Sequence, residues 1–259
     1  MEYLTLDRAV IEISGDDKSP FLQGIISNDI TKVTDGSSIY TCLLSPQGKY
    51  LFDFFVTGKE GKFLLDVPKR HAAELIKRLT MYKLRSKVEI KDVSNIYSVF
   101  ACYGSGAEKV GIPDPRDARL GSRVIASDAP IGKAGSMEAY DALRISLTIP
   151  DSEKDLEQDK SYPLHYRMEA LHAIDFDKGC YVGQEVTARM KHRNAVKQML
   201  YRVKANAPLP APGTVITADG ISAGELRSIS GNEGLALLEV AALEKKQPLK
   251  AEALEIIPC

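Results

Sequence analysis

Residues 175–193 hold the densest group of chemically capable side chains in the chain, DFDKGCYVGQEVTARMKHR. Gly179 and Gly183 indicate a tight loop, because glycine adopts backbone angles that other residues resist. We expect a helix to begin near Gln184, which places Cys180 just before a helix N-terminus, where unpaired amides and the helix dipole favour an anion. The sequence therefore predicts a nucleophilic or metal-binding thiolate, against the alternative of a small buried residue in a turn.

The neighbours of Cys180 could support the thiol or serve the local structure. Lys178 adds a positive charge that would favour the thiolate, and Tyr181 is expected to pack rather than to stack on a ligand. Gln184 and Glu185 either hydrogen-bond across to the cysteine loop or serve the first turn of the helix, where an acid is favoured.

The overall charge restricts the possible partners. Of 259 residues, 34 are Lys or Arg and 35 are Asp or Glu, a net charge of -1. This balance argues against a general attraction to nucleic acid or to an anionic membrane, so any such site must be a local patch. The start, MEYLTLDRAV, lacks the order of a signal peptide, and no apolar run reaches roughly 18 residues. We therefore expect a cytoplasmic protein with no membrane contact.

Cysteine and histidine spacing predicts no metal site. No CxxC pair occurs, which disfavours a zinc knuckle or a disulfide framework and predicts free thiols. His165 and His172 would share one helical face with Glu169 between them, but that spacing matches no familiar metal motif. The four cysteines are Cys42, Cys102, Cys180 and Cys259.

The pattern of apolar residues before the motif predicts an α+β fold. Residues 3–6 and 9–13 form an expected strand pair that feeds a helix, and three β-rich runs separated by Gly-containing spacers indicate an antiparallel meander. Two stretches are expected to lack regular structure, 104–121 as a loop and 151–160 as a mobile surface loop. The other predicted elements are strands at 39–44, 50–57, 62–67, 87–92 and 96–102, and helices at 69–82 and 138–147.

A boundary is expected after the motif, where NAPLPAPG carries three prolines and a glycine. Short, evenly spaced strands follow and suggest a small barrel or sandwich. We predict an α+β region at 1–195 and a C-terminal β-barrel at 196–259, with barrel strands at 199–205, 214–217, 224–229 and 234–240.

The motif KGCYVGQE, together with RISLTIP, resembles the signature of the YgfZ family, whose members have a folate-binding fold and are linked to iron–sulfur cluster biogenesis. The family is similar to the T-protein of the glycine cleavage system. Further similar segments in the same order extend the resemblance over nearly the whole chain. The matching segments lie at 21–30, 43–56, 82–94, 144–150 and 178–185.

The resemblance implies two ferredoxin-like α+β parts and a C-terminal β-barrel around a central opening. It also implies tetrahydrofolate binding, iron–sulfur client or assembly proteins as partners, and support of 4Fe-4S enzymes, tRNA-modifying enzymes among them. Cys180 would be the functional thiol. The basic tail could bind a folate glutamate tail, a phosphate or RNA, or be a solvated face. Its members are Arg189, Lys191, His192, Arg193 and Lys197.

Three departures from the family pattern affect the folate expectation. Thr148 stands where the family often has glycine, and Ser146 falls on the pterin-binding glutamate of the T-protein. Phe52 and Asp53 match its acidic pair, so one carboxylate is lost from a position used in acid/base chemistry. The remaining folate or anion candidates are Asp53, as an alternative to a solvent-facing strand residue, and Arg144 of the RISLTIP strip.

Three functions remain open at this point. An accessory factor for iron–sulfur assembly would act through Cys180, and because clusters usually take four protein ligands it would need a partner or a small-molecule ligand. A folate-dependent aminomethyl transferase would require the incomplete carboxylates. An RNA-modification factor would use the basic tail and bind RNA in a salt-sensitive way. The sequence leaves open whether the protein catalyses a reaction.

Overall fold

The computed structural model describes residues 1–193 and 195–259. Within these residues the chain forms two five-stranded sheets, helices packed against them, and a closed six-stranded barrel. The expected α+β class, with two α+β parts and a C-terminal β-barrel, is confirmed.

The first sheet has the order β3-β4-β5-β2-β6 and is antiparallel throughout. Its strands β3, β4 and β5 are the predicted meander. One face is covered by α1 (Lys18–Gln23) and α2 (Ala72–Lys83), and isoleucine, leucine and phenylalanine side chains fill the space between helices and sheet. The strands are β2 (Arg8–Ser14), β3 (Ser38–Leu44), β4 (Tyr50–Lys59), β5 (Lys62–Pro68) and β6 (Glu89–Asp92).

The second sheet has the order β10-β1-β7-β9-β8 and contains the first strand of the chain. The predicted pairing of the first two strands is therefore wrong. Only Asp7 separates β1 from β2, and because a hairpin turn needs about two residues the chain continues from one sheet into the other. The strands are β1 (Glu2–Leu6), β7 (Ser98–Tyr103), β8 (Ile112–Pro113), β9 (Ser122–Ala126) and β10 (Lys133–Ala134).

The C-terminal barrel closes in the order β11-β14-β13-β12-β15-β16. Its interior is a separate apolar cluster, while Leu200, Leu235 and Leu237 pack into the cluster that fills the centre of the molecule. The strands are β11 (Gln198–Lys204), β12 (Val215–Ala218), β13 (Ile221–Ser230), β14 (Glu233–Glu239), β15 (Leu249–Ala251) and β16 (Leu254–Pro258).

The helices follow their apolar periodicity and capping residues. Leu75 and Leu79 of α2 are fully buried, as their spacing predicts. Ser136 caps α3 by accepting a hydrogen bond from the Ala139 amide at 3.2 Å. In the part of the chain that the structure describes, no helix is long and apolar enough to cross a membrane. The helices are α1 (Lys18–Gln23), α2 (Ala72–Lys83), α3 (Met137–Ser146), α4 (Ser152–Asp155), α5 (Gln184–His192) and α6 (Val240–Glu244).

Two segments expected to be irregular are ordered by buried carboxylates. Residues 104–121 contain two 3₁₀ turns and β8, and Asp114 in this segment is only 3% exposed. Residues 151–160 include α4, and Asp155 is fully buried. Polar composition suggested solvation of 151–160, and prolines and glycines suggested a loop at 104–121. Asp155 pairs with the buried Arg144 and Asp114 with the partly buried Arg116, which allows each carboxylate to leave water.

Candidate functional site

Cys180 is an exposed free thiol in the loop that precedes α5, so the alternative of a buried cysteine is wrong. The helix begins at Gln184, as predicted, and Gly183 caps it with φ +85°. A Cβ atom at Gly183 would lie 2.5 Å from the Ser45 carbonyl oxygen. Both the left-handed backbone and the close approach therefore require glycine there, whereas Gly179 faces open space.

Lys178 is buried, and its side chain turns inward to main-chain carbonyls at the end of α1. Its ammonium donates to the carbonyl oxygens of Gln23 at 2.8 Å, Ile26 at 2.6 Å and Asn28 at 2.9 Å. Three acceptors match the three donors of an ammonium group. The sequence predicted Lys178 as a positive neighbour of the thiol, but its charge is directed into the protein.

Tyr181 packs in the central apolar cluster, as predicted. Its hydroxyl has no hydrogen-bond partner among residues 1–193 and 195–259. The Lys178 ammonium lies 5.1 Å from the centroid of its ring, a cation–π contact. Burial lowers the pKa of Lys178 to about 8, against the opposing effect of Asp29 and Asp175. Burial also raises the pKa of Tyr181, so the hydroxyl keeps its proton.

The polar and basic residues of α5 are mostly paired on the surface. Glu185 accepts from Arg189 at 2.5 Å along the helix, and Lys191 pairs with Glu169. Arg193 is exposed at the helix C-terminus. Glu185 thus belongs to the helix surface rather than to the cysteine loop.

Asp53 lies in the core between two tyrosines and does not face solvent. Its carboxylate accepts hydrogen bonds from the hydroxyls of Tyr40 at 2.8 Å and Tyr50 at 2.7 Å, and it is 3% exposed. Burial and the Asp53 charge raise the pKa of both tyrosines, so both stay donors. The pocket beside Asp53 measures about 140 Å³, below the roughly 300–1,000 Å³ of most small-molecule sites.

A network of five charged side chains, which we call the buried network because Asp66, Asp114 and Arg123 are buried and the other two nearly so, joins the two sheets. Asp66 accepts from Arg8 and from Arg123, the latter through Nε at 2.9 Å. Asp114 is held by both Nε and an Nη of Arg116, at 3.0 and 2.8 Å, and Arg123 lies 3.7 Å from it. The network therefore connects the two sheets through ion pairs within the chain.

Arg144, a candidate for anion binding, is used within the chain. It is 3% exposed and donates to Asp155 at 3.1 Å, to Asp141 at 2.5 Å and to the Ser228 hydroxyl of the barrel at 2.7 Å. All three guanidinium nitrogens therefore have partners in the protein. The side chain links α3 to α4 and to β13.

The two other departures from the family pattern lie at the end of α3. The Ser146 hydroxyl donates to the Leu143 carbonyl, and the Ser146 carbonyl accepts from Arg202 of β11. Thr148 adopts φ +60°. The chain therefore keeps the left-handed backbone that suits glycine, with a β-branched residue in it.

A larger cavity, which we call the inter-sheet cleft, opens between β4 and β5 of one sheet and β8 and β9 of the other. Its volume is about 340 Å³. Apolar side chains line the walls, and Asp66 and Arg123 contribute polar groups. The Arg123 guanidinium lies 3.9 Å from the Phe55 ring centroid. The apolar lining includes Phe55, Leu64, Ile112, Pro113, Pro115, Val124 and Ile125.

The histidines do not share a helical face. His165 lies in the 3₁₀ turn Pro163–Tyr166, and His172 follows in a turn at φ +58°. Among residues 1–193 and 195–259, no group of three or more His, Cys, Asp or Glu side chains is placed to hold a metal ion.

Sequence reasoning missed the five residues of the buried network. A signal was available at two of them. Asp66 interrupts the apolar run KFLLDVP of β5, and Arg123 begins the run RVIA of β9. A lone charge within an apolar strand predicts a buried ion pair, because a buried charge needs a partner.

The chain is similar to known proteins in both its α+β region and its barrel. The GCVT N-terminal domain matches residues 7–111, and the C-terminal β-barrel domain of CAF17 matches residues 198–258. The crystal structure of the glycine cleavage system aminomethyltransferase T from Bartonella henselae superposes with a TM-score of 0.78. That match covers 98% of this chain and 84% of the other, at 15% identity. The chain is a GCVT-like protein with a CAF17-type barrel.

Two relatives are mitochondrial iron–sulfur cluster assembly factors named IBA57. The mouse protein is 30% identical, with 96% of this chain and 80% of the relative covered. The human protein is 30% identical, with 89% of this chain and 75% of the relative covered. The chain therefore belongs to the IBA57 family. The YgfZ resemblance is confirmed at the level of this related family and not for YgfZ in particular.

The expected cytoplasmic location is wrong by the same comparison. Both relatives are named as mitochondrial proteins. The expectation came from composition and from the first residues of the chain, and neither reports the compartment of the family.

Proposed function

We propose that this protein assists the assembly or repair of iron–sulfur clusters and that Cys180 is the thiol through which it acts. Membership of a family of assembly factors supports the first part. The exposure of Cys180 within the KGCYVGQE loop supports the second, because a thiolate must be accessible to bind iron, sulfur or another thiol.

The proposal requires a partner. Iron–sulfur clusters usually take four protein ligands, and in the described residues no other His, Cys, Asp or Glu completes a metal site with Cys180. A client or assembly protein therefore supplies the remaining ligands. The 4Fe-4S enzymes, including those that modify tRNA, are the clients that the family resemblance suggests.

The test is Cys180→Ala in cells that lack the native protein, with the activity of a 4Fe-4S enzyme as the measurement. We expect client activity to fall to the level of cells without the protein. Cys259→Ala is the matched control, since Cys259 is the other exposed thiol and should be dispensable. Full client activity with folded Cys180→Ala would contradict the proposal.

Tetrahydrofolate is the ligand that we propose for the inter-sheet cleft. Apolar walls with a few polar groups and a volume of about 340 Å³ are typical of small-molecule sites. Of the residues nominated from the sequence, Asp53 and Arg144 are bonded within the chain, and Lys191 lines two other cavities but is paired with Glu169. Thr57 and Ser38 lie on the lining and could donate to a pterin.

Titration with 5-formyltetrahydrofolate tests this ligand. Thr57→Trp places a large ring in the cleft, and we expect it to weaken binding by about tenfold or more through lost space. Ser222→Trp, on the exposed face of the barrel, should bind like the unmodified protein. Absence of binding to the unmodified protein would remove folate from the proposal and leave the role of Cys180 intact.

The two alternative functions receive less support. Aminomethyl transfer needs a carboxylate free for acid/base work, and Asp53 is occupied by Tyr40 and Tyr50. RNA binding would use cations of α5, of which Arg189 and Lys191 are paired with acids.

A further inference from the structure

Cys180 is exposed, but the backbone on both sides of it is held by buried side chains. Lys178 and Tyr181 are each 7% exposed, and only Gly179 and Cys180 lie between them. Three residues of chain span at most about 11 Å. The thiol is therefore confined to a small volume as long as both buried side chains stay in place.

The Lys178 contact connects the loop to a segment far away in the sequence. The three carbonyl acceptors belong to Gln23, Ile26 and Asn28, 150 to 155 residues before the lysine. The first of them is the last residue of α1, where a helix leaves carbonyls unpaired and a cation is favoured. Hydrogen bonds from a charged donor are among the strongest in proteins.

A second lysine contact, an exposed ion pair, also reaches this loop. Lys32 lies 2.7 Å from the Asp175 carboxylate, and its side chain is 55% exposed. Such exposed pairs contribute little, because water screens them. The two lysines can therefore be compared, since Lys178 is buried and anchors the loop from within, whereas Lys32 is exposed and contacts the loop through Asp175.

We propose that Lys178 is a positioning residue, whose three hydrogen bonds to the 23–28 segment fix the place from which Cys180 is presented to its partner. The inference rests on the proposed function of Cys180. Loss of the contact leaves the thiol chemically present but free to move, so a partner must fix it at the moment of binding.

The test compares Lys178→Met with Lys32→Met, which removes the same charge near the same loop. Hydrogen exchange of the amides at 176–183 should accelerate by about tenfold or more in Lys178→Met and by about twofold or less in Lys32→Met. Lys178→Arg keeps a charged donor and should retain more protection than Lys178→Met. Equal exchange in Lys178→Met and the unmodified protein would overturn the proposal.

An assay of cluster transfer to a purified client distinguishes a loss of thiol positioning from a general loss of protein stability. In Lys178→Met the concentration needed for half-maximal transfer should rise by about tenfold, while the plateau at saturation stays largely intact, because the thiol is still present. Val203→Ala, in the barrel core, is the control for lost stability, because it destabilises the protein at a site away from the loop. It should change neither the half-maximal concentration nor the plateau. If Lys178→Met does not fold, Lys178→Gln, which also lacks the ammonium group, carries the comparison, and its failure to alter loop exchange or half-saturation would overturn the proposal.

The role of Cys180 is tested separately in the same transfer assay. If Cys180→Ala is fully active while Lys178→Met accelerates loop exchange, the proposed function fails and the anchoring of the loop stands. If Cys180→Ala is inactive while loop exchange is unchanged in Lys178→Met, the proposed function stands and the positioning role fails.

Discussion

Asp66 shows how a single residue holds the centre of the molecule together. It is 1% exposed and accepts hydrogen bonds from Arg8 of its own sheet and Arg123 of the other. A buried charge that loses its partner is far more costly than an exposed one, because water cannot replace the lost contact.

We expect Asp66→Asn to lower the free energy of unfolding by about 3–5 kcal/mol, since two arginines lose their buried counter-charge. Urea unfolding measures this loss. Lys62→Met is the control, because it removes the exposed pair with Glu12 and should cost at most about 1 kcal/mol. A loss as small as that of the control would show that the network does not stabilise the fold.

Acid should weaken the same network. Burial alone would raise the pKa of Asp66 and Asp114, but the neighbouring arginines outweigh it and hold both below the usual 3.8. The unfolded chain therefore takes up protons first, so the stabilisation is complete above about pH 4 and is lost as pH falls through the lowered values. Urea midpoints measured from pH 7 to pH 3 should drop steeply at the acid end, and less in Asp66→Asn.

Thr148 occupies a left-handed backbone conformation that glycine would adopt at a lower energetic cost. A residue in a sparsely populated conformation costs about 1–3 kcal/mol, and φ is +60° here. Thr148→Gly should therefore raise the free energy of unfolding by about 1 kcal/mol, after the greater freedom of glycine in the unfolded chain is subtracted. Thr5→Gly, in β1, should instead lower it. A destabilised Thr148→Gly would show that its side chain makes a needed contact.

At the scale of the elements, Gly183 joins α5 to the β3–β4 hairpin. An added Cβ would lie 2.5 Å from the Ser45 carbonyl oxygen, whereas at Gly61, with similar φ, it would meet nothing within 4 Å. Gly61→Ala should thus cost about 1 kcal/mol for the backbone alone, and Gly183→Ala about 1–3 kcal/mol more for overpacking. Thermal unfolding of both variants measures the difference, and equal losses would exclude a close approach at Gly183.

Elements with strong local signals could be predicted from the sequence. The meander of β3, β4 and β5, the apolar face of α2, and the loop before α5 follow from turn residues and periodicity. The pairing of β1 could not be predicted, because strand partners far along the chain leave no local pattern. Asp155 was missed because the polar composition of 151–160 suggested solvation, although its arginine lies only 11 residues away. The buried role of Lys178 was missed because its acceptors lie 150 to 155 residues before it.

At the scale of the whole molecule, Arg144 connects the barrel to the α+β region through Ser228. We expect Arg144→Met to leave Asp155 buried without its arginine, at a cost of about 3–5 kcal/mol, and to uncouple the barrel. Calorimetry should then show two unfolding transitions instead of one. Arg119→Met, which removes an exposed pair with Asp117, should keep one transition, and a single transition in both variants would contradict the coupling.

The position of β1 has a consequence for synthesis on the ribosome. This strand pairs with β7 and β10, so its residues must wait for partners made about 95 and 130 residues later. At roughly 5–20 residues per second, the wait lasts about 5 to 26 seconds, during which an unpaired strand is open to aggregation. The first sheet can close around β2 meanwhile, and we therefore expect it to fold before the second.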